Sequence, residues 1–348
     1  MDTVTQIALG AAVGEATLGR QVGRRAMLWG AVGGLFPDLD VLVPLGDAVK
    51  NFTYHRGPSH SLFVLAALTP LFVTLILRLH PGTARHRVKW HALVYAAFAT
   101  HVLLDCFTVY GTQIFWPLPT PPVMWSTIFI IDPAYSVPLI AGVLAALVLS
   151  RTRSRGHVLN TVGLVLSTSY LAFTVAVKQH VDLVAEESLR RQGITHERIL
   201  TVPAPFNTLL WRVLVLDEKG YYEGFYSLLD TSRSVQYTRY PSERRLLQGL
   251  QDHWPVKRLQ WFTHGFYAVG QRGPDIMVTD LRMGLEPSYV FRFKVGEAAG
   301  YRAIPSPSSR IRDEGRLEQL RWVWQRIWTE NPEIGGLQKQ ARGEGGTG

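Results

Sequence analysis

HRGPSHSLFVLAALTPLFVTLILRL, residues 55–79, decides how the rest of the chain is read. From Ser61 to Leu79 the run is apolar until Arg78 and close to the ~20 residues that a membrane-spanning helix needs. Immediately before it, His55 and His60 flank Arg56-Gly57-Pro58-Ser59. Gly and Pro force a turn there, so both imidazoles can converge just ahead of a helix that starts near Ser61. The helix N-terminus adds positive potential and free N–H groups, suited to an anionic substrate. Arg56 could hold a phosphate or carboxylate oxygen. The plainer reading of the same residues is a surface loop with two solvated histidines.

Further long apolar stretches cover about 90–104, 134–150 and 157–177. Two earlier ones, about 4–19 and 26–45, carry Glu15 and the pair Asp38 and Asp40, and read as a hairpin turning at Arg20, Arg24 and Arg25. The expected fold class is an α-helical integral membrane bundle of about five to six spanning helices, residues 1–180, with a small extramembrane α+β domain after it. A mean hydropathy of +0.07 hides this division. The net charge of +9 sits largely in short clusters between apolar runs, which fits membrane orientation better than nucleic acid, and no nucleic-acid partner is expected. The single Cys106 excludes an intrachain disulfide, and the N-terminus lacks the basic region of a cleavable signal peptide.

Arg20, Arg24 and Arg25, then Arg85, Arg87 and Lys89, then Arg151, Arg153 and Arg155 fall on alternate connections. The positive-inside rule puts these clusters in the cytoplasm. Six crossings then leave both termini and the C-terminal domain on the extracytoplasmic side. Asp38, Asp40, His55, His60, Asp105 and Asp132 fall on or near that same side.

Ionisable groups in an apolar region need partners or a purpose. His101 and Asp105 are four apart in a helical stretch and share one face, as two ligands of a cation or as ligand and orienting carboxylate. A buried structural pair explains them equally well. Asp38 and Asp40, after Pro37, can serve one site only where the chain bends. Asp132, before Pro133 and a helix, is either a ligand or an N-cap. The expected metal ligands are Asp38, His55, His60, His101, Asp105 and Asp132, with Asp40 as proton acceptor and Arg56 as anion holder in catalysis. Mixed His/Asp ligation suits zinc first, then Mn, Fe or Ni, as one or two ions. Such ions make hydroxide available near neutral pH, so metal-assisted hydrolysis is the expected chemistry. The connection 106–132, without Lys or Arg and holding Trp116, Trp125 and four prolines at 117, 119, 121 and 122, reads as an interfacial lid or as an ordinary structured connection.

MDTVTQIALGAAVGEATLG, GLFPDLDVL, HRGPSHSL, HVLLDCFTVYGTQIFWP and FIIDPAYSVPL, in this order, resemble the YdjM-type family of membrane-bound metal-dependent hydrolases. PFNTLLWRVL and VTDLRMG look like its longer bacterial members. The resemblance implies a multi-pass protein of the bacterial inner membrane with a metal-hydrolase site at Asp38, Asp40, His55, His60, His101 and Asp105, and less directly Asp132. Many members have Thr-His where this chain has Thr5-Gln6, so the site has one imidazole fewer here, or Gln6 ligates through its amide oxygen.

Residues 181–331 form the expected extramembrane domain. VDLVAEESLRRQ continues a helix out of the membrane. WRVLVLDEKGYYEGFYSLLD, WFTHGFYAVGQRG, DIMVTDLRMG and YVFRFKVGE read as strands of one small antiparallel sheet. Residues 313–329 read as an amphipathic helix with Leu317, Leu320, Trp324, Ile327 and Trp328 on one side and Arg316, Arg321 and Arg326 elsewhere. It can pack on the sheet or lie on the membrane. Residues 332–348 are Gly-rich and expected to be disordered.

The expected function is attack of metal-activated water on an ester or phosphoester of a lipid or other amphiphilic envelope substrate. The alternatives are a metal-ion or proton-coupled transporter and a non-catalytic membrane scaffold.

Overall fold

Glycine recurs at four-residue spacing in both N-terminal helices. The chain begins with α1 (Thr3–Gly14), a π-helical turn (Glu15–Gly19), α2 (Arg20–Val22) and α3 (Arg24–Leu35). A Cβ on Gly10 would sit 2.2 Å from the Gly30 carbonyl oxygen, and one on Gly34 would sit 2.3 Å from that of Gln6. Only glycine permits this approach, so Gly10-x-x-x-Gly14 and Gly30-x-x-x-Gly34 bring the two backbones into direct contact. Pro37 then turns the chain into a 3-10 helix (Phe36–Leu42) that carries Asp38 and Asp40.

The computed structural model describes residues 1–149, 154–299, 302–311 and 316–330. It divides into two units, Met1–Pro44 with Thr53–Ala176, and Leu45–Phe52 with the chain from Val177 onward. After α4 (Ala48–Tyr54) come α5 (Leu62–Leu79), α6 (Arg87–Cys106), α7 (Pro133–Leu149) and α8 (Ser154–Gln192). The core of the first unit has two parts. Leu65, Val73 and Ile76 of α5 pack with Trp90, Leu93 and Phe98 of α6. Leu9 and Ala12 of α1 pack with Leu139 and Val143 of α7.

The expected five to six spanning helices are not met. Among the described residues two helices are long and apolar enough to cross a membrane, Leu62–Leu79 and Arg155–Gln192. The others fall short for identifiable reasons. α1 and α3 have 12 residues each, and α7 has 17, below the ~20 a simple crossing needs. α6 is 20 residues long, but Arg87, Lys89, His101 and Asp105 lower its hydropathy. Arg151 and Arg153 of the third basic cluster lie outside the described residues.

The second unit holds two four-stranded antiparallel sheets instead of the single small one expected. β1 (Arg198–Pro203), β2 (Leu210–Asp217), β3 (Gly220–Ser227) and β4 (Tyr237–Pro241) form one meander. After α9 (Trp254–Phe262), β5 (Tyr267–Arg272), β6 (Asp275–Leu285), β7 (Ser288–Ala299) and β8 (Arg302–Ile311) form the other. Trp261 and Phe262, read as the start of a strand, end α9 instead. α10 (Arg316–Trp328) buries Val323 and Ile327 against Leu210, Ala204 and Leu285. The expected apolar side of this helix is therefore corrected: Val323 faces inward, while Leu320, Trp324 and Trp328 are exposed. The Leu317 and Arg316 side chains and the tail from 332 lie outside the described residues.

Candidate metal centre

Asp38, His60, His101 and Asp105 each offer one ligand atom, and these atoms all lie within 4.8 Å of one another. His60 Nε2 is 3.3 Å from His101 Nε2, 3.4 Å from Asp38 Oδ1 and 3.2 Å from Asp105 Oδ2. His101 Nε2 is 3.6 Å from each of the same two carboxylate oxygens. Tetrahedral ligation with bonds of ~2.1 Å places ligand atoms about 3.4 Å apart, so these separations fit one cation. His60, His101 and Asp105 are fully buried, whereas the Asp38 side chain keeps 16% of its surface.

The two imidazoles are held so that the same nitrogen is free on each. His101 Nδ1 donates to the Gly34 carbonyl oxygen at 2.6 Å. A carbonyl only accepts, so the proton stays on Nδ1 and Nε2 presents a lone pair. The Gly-mediated contact of α1 and α3 thus also positions an acceptor for α6. Ser59 Oγ donates to Asp40 Oδ2 at 2.6 Å and accepts from His60 Nδ1 at 2.9 Å, which leaves His60 Nε2 as the second lone pair.

The Nε2 lone pairs and carboxylate oxygens face one another, with the Arg56 guanidinium and the Met1 ammonium both set against Asp105. Burial disfavours a charged His60, yet Asp105 and Asp38 outweigh it and hold the ring's pKa above its ordinary value. Gln6 Oε1 is buried without a hydrogen-bond partner. Gln6 Nε2 donates to Asp105 Oδ1 at 3.0 Å and to the His101 carbonyl oxygen at 3.2 Å. Orphaned buried acceptors are costly, and a bound cation is one way to satisfy them. The donor set therefore fits a divalent metal.

The remaining candidates take other places. Asp40, expected to move protons, accepts from His55 Nδ1 at 2.8 Å, Arg56 N at 3.1 Å and Ser59 Oγ. With its oxygens so engaged it organises the turn. His55, expected as a ligand, lies outside the group of four, with its ring 5.9 Å from that of His60. Arg56, expected to hold a substrate anion, is 4% exposed. Its Nε lies 3.1 Å from Asp105 Oδ2, and its Nη1 donates to Thr108 Oγ1 at 2.9 Å. Its backbone is left-handed at φ 60°, a cost met by bonds on both sides, including Gln113 N to its carbonyl. Asp132 is outside the group as well: its carboxylate accepts from Ala134 N at 2.9 Å and Tyr170 Oη at 2.8 Å and caps α7. The connection 106–132 is an ordered one: Thr112 bridges Val123, Ser61 Oγ donates to the Trp116 carbonyl, and Trp125 N donates to that of Cys106.

Ser59, Gly34 and Thr108 were not singled out by their chemistry. For Gly34 the signal was available in the paired Gly-x-x-x-Gly spacing; for Thr108 there was none.

A family model described as YdjM inner membrane protein matches residues 1–181. The chain is also similar to the uncharacterized protein YfhP of Bacillus subtilis (strain 168), 25% identical over 252 residues that cover 68% of this chain and 72% of the relative. No solved structure matches significantly.

Proposed function

The chain belongs to the YdjM inner membrane protein family, and we propose that it is a membrane-bound metal-dependent hydrolase acting on an ester or phosphoester of an amphiphilic envelope molecule. One observation carries this reading. Two imidazole Nε2 atoms and two carboxylate oxygens converge at ligand spacing with both Nδ1 atoms already committed.

A divalent transition metal, zinc foremost and Mn, Fe or Ni otherwise, would supply a Lewis acid and acidify a nearby water. The chain's own residues do the rest. Asp38, His60, His101 and Asp105 would hold the ion, and Arg56 offsets the charge of Asp105. Asp40 fixes the proton of His55 on Nδ1, so His55 Nε2 is the atom suited to take a proton from water at the open side. Asp38, the half-open ligand, marks that side. A site in an inner membrane protein would let lipids or other amphiphiles arrive from the bilayer.

A specific observation favours a second reading: four protein ligands at tetrahedral spacing are the complement of a structural zinc. The two are separable in purified protein by elemental analysis and by hydrolysis of p-nitrophenyl phosphate and p-nitrophenyl esters. A hydrolase loses bound metal and hydrolysis in His60→Ala and Asp105→Ala, and chelation stops turnover before the fold melts. A structural site gives metal-dependent melting without turnover. Equal metal content in both variants and the wild type would sink the site itself.

A further inference from the structure

α10 carries a stripe that the described residues of its own domain leave uncovered. Its inner side is sealed by Val323 and Ile327, 3% and 2% exposed. Gln319 Nε2 donates to the Leu285 carbonyl at 3.0 Å, and Arg326 forks onto both oxygens of Asp230 at 2.7 Å. The helix cannot roll to hide its other side. On that side Leu320, Trp324 and Trp328 follow one another at four-residue spacing, 36%, 62% and 62% exposed. The two indoles meet edge to face with ring centroids 6.2 Å apart. Leu229, half exposed, lies in the turn where Ser227 Oγ donates to the Ile327 carbonyl.

Indole rings favour the headgroup level of a bilayer, where an apolar body and a polar N–H are both accommodated. Arg321 is exposed beside Leu320, a positive charge that complements anionic lipid. Lipid is also within reach: the apolar stretch Arg155–Gln192, long enough to cross a membrane, runs into this same unit from Val177. We propose that the Leu320–Trp324–Trp328 stripe is a peripheral membrane contact that seats the C-terminal domain in the headgroup region of an anionic bilayer. A rigid, clamped helix suits this task, because little order remains to be lost on contact.

The test uses the whole chain in vesicles of phosphatidylcholine and phosphatidylglycerol. The single cysteine, Cys106, is buried, so a nitroxide can be placed at Gln325→Cys beside the stripe, and at Glu218→Cys in the β2–β3 turn as an aqueous reference. Collisions with oxygen and with a water-soluble neutral nickel chelate report depth. The oxygen-to-nickel ratio at 325 is expected to exceed that at 218 several-fold, and to fall to the reference in a Trp324→Ser/Trp328→Ser variant of unchanged melting temperature. Equal ratios at both positions overturn the proposal. So does a ratio that survives the double substitution, or dipolar broadening at 325, which would mean that a second copy covers the stripe.

Discussion

His101 Nδ1 donates to the Gly34 carbonyl oxygen across 2.6 Å, joining α6 to the last turn of α3. That bond exists because α3 lies against α1 at backbone distance. The tautomer of a candidate ligand therefore depends on Gly34 and, behind it, on the helix contact made through Gly10 and Gly30.

Gly30→Ala tests this dependence. Its Cβ would fall 2.1 Å from the Gly10 carbonyl oxygen, which cannot yield without separating the helices. Overpacking of this kind costs ~1–3 kcal/mol, more than the helix propensity that alanine adds. Metal affinity is expected to fall at least about tenfold, as for loss of an outer-shell partner. Gly82→Ala, with open space around the added Cβ, is expected to change neither melting temperature nor titrated affinity.

Ser59→Ala removes the hydroxyl between Asp40 and His60 Nδ1. Metal affinity is expected to drop ~10–100-fold while stoichiometry at saturation stays unchanged. Ser59→Thr keeps the hydroxyl and should recover most of the affinity by isothermal titration. Equal affinities in wild type and Ser59→Ala would disprove the relay.

Asp132→Ala separates cap from ligand. Loss of the N-cap of α7 is expected to lower stability by ~1 kcal/mol. Elemental analysis is expected to find the same metal content as in wild type, because the carboxylate is engaged by Ala134 N and Tyr170 Oη.

Glu330 ties the end of α10 to Thr231 and Ser232, and these hydrogen bonds lower its pKa to about 2 from an ordinary 4.5. A carboxylate whose folded pKa is depressed stabilises above its unfolded pKa, and that contribution is lost as pH falls through the folded one. Amide protection factors at the C-terminal end of α10, taken relative to the intrinsic exchange rate at each pH, are expected to fall between pH 4.5 and about 2. Glu330→Gln should exchange faster at neutral pH and show a weaker acid dependence.

The residues of the centre were legible where chemistry and spacing coincide. His101 and Asp105 share a helix face by periodicity, and His60 follows a Gly-Pro turn that aims it. The roles of Asp40 and Arg56 were not legible, because side-chain partners across the fold decide them. Asp132 was ambiguous by nature, since a cap and a ligand use the same carboxylate. The count of spans failed at α6, where a run apolar on average encloses the site's charged residues and faces inward. β8 went unseen because it carries Pro305 and Pro307, which are tolerated at an edge and read as loop.

Three of the four candidate ligands are sealed from solvent, and Asp38 alone keeps 16% of its side-chain surface. Entry and escape of an ion held there would share one doorway, and the carboxylate standing in it would set the pace of exchange. Residence time and equilibrium affinity are then governed by different residues. Asp38→Asn should shorten the lifetime of the loaded state under a chelator chase by a larger factor than it raises the dissociation constant, whereas changes at the sealed ligands should act chiefly on affinity.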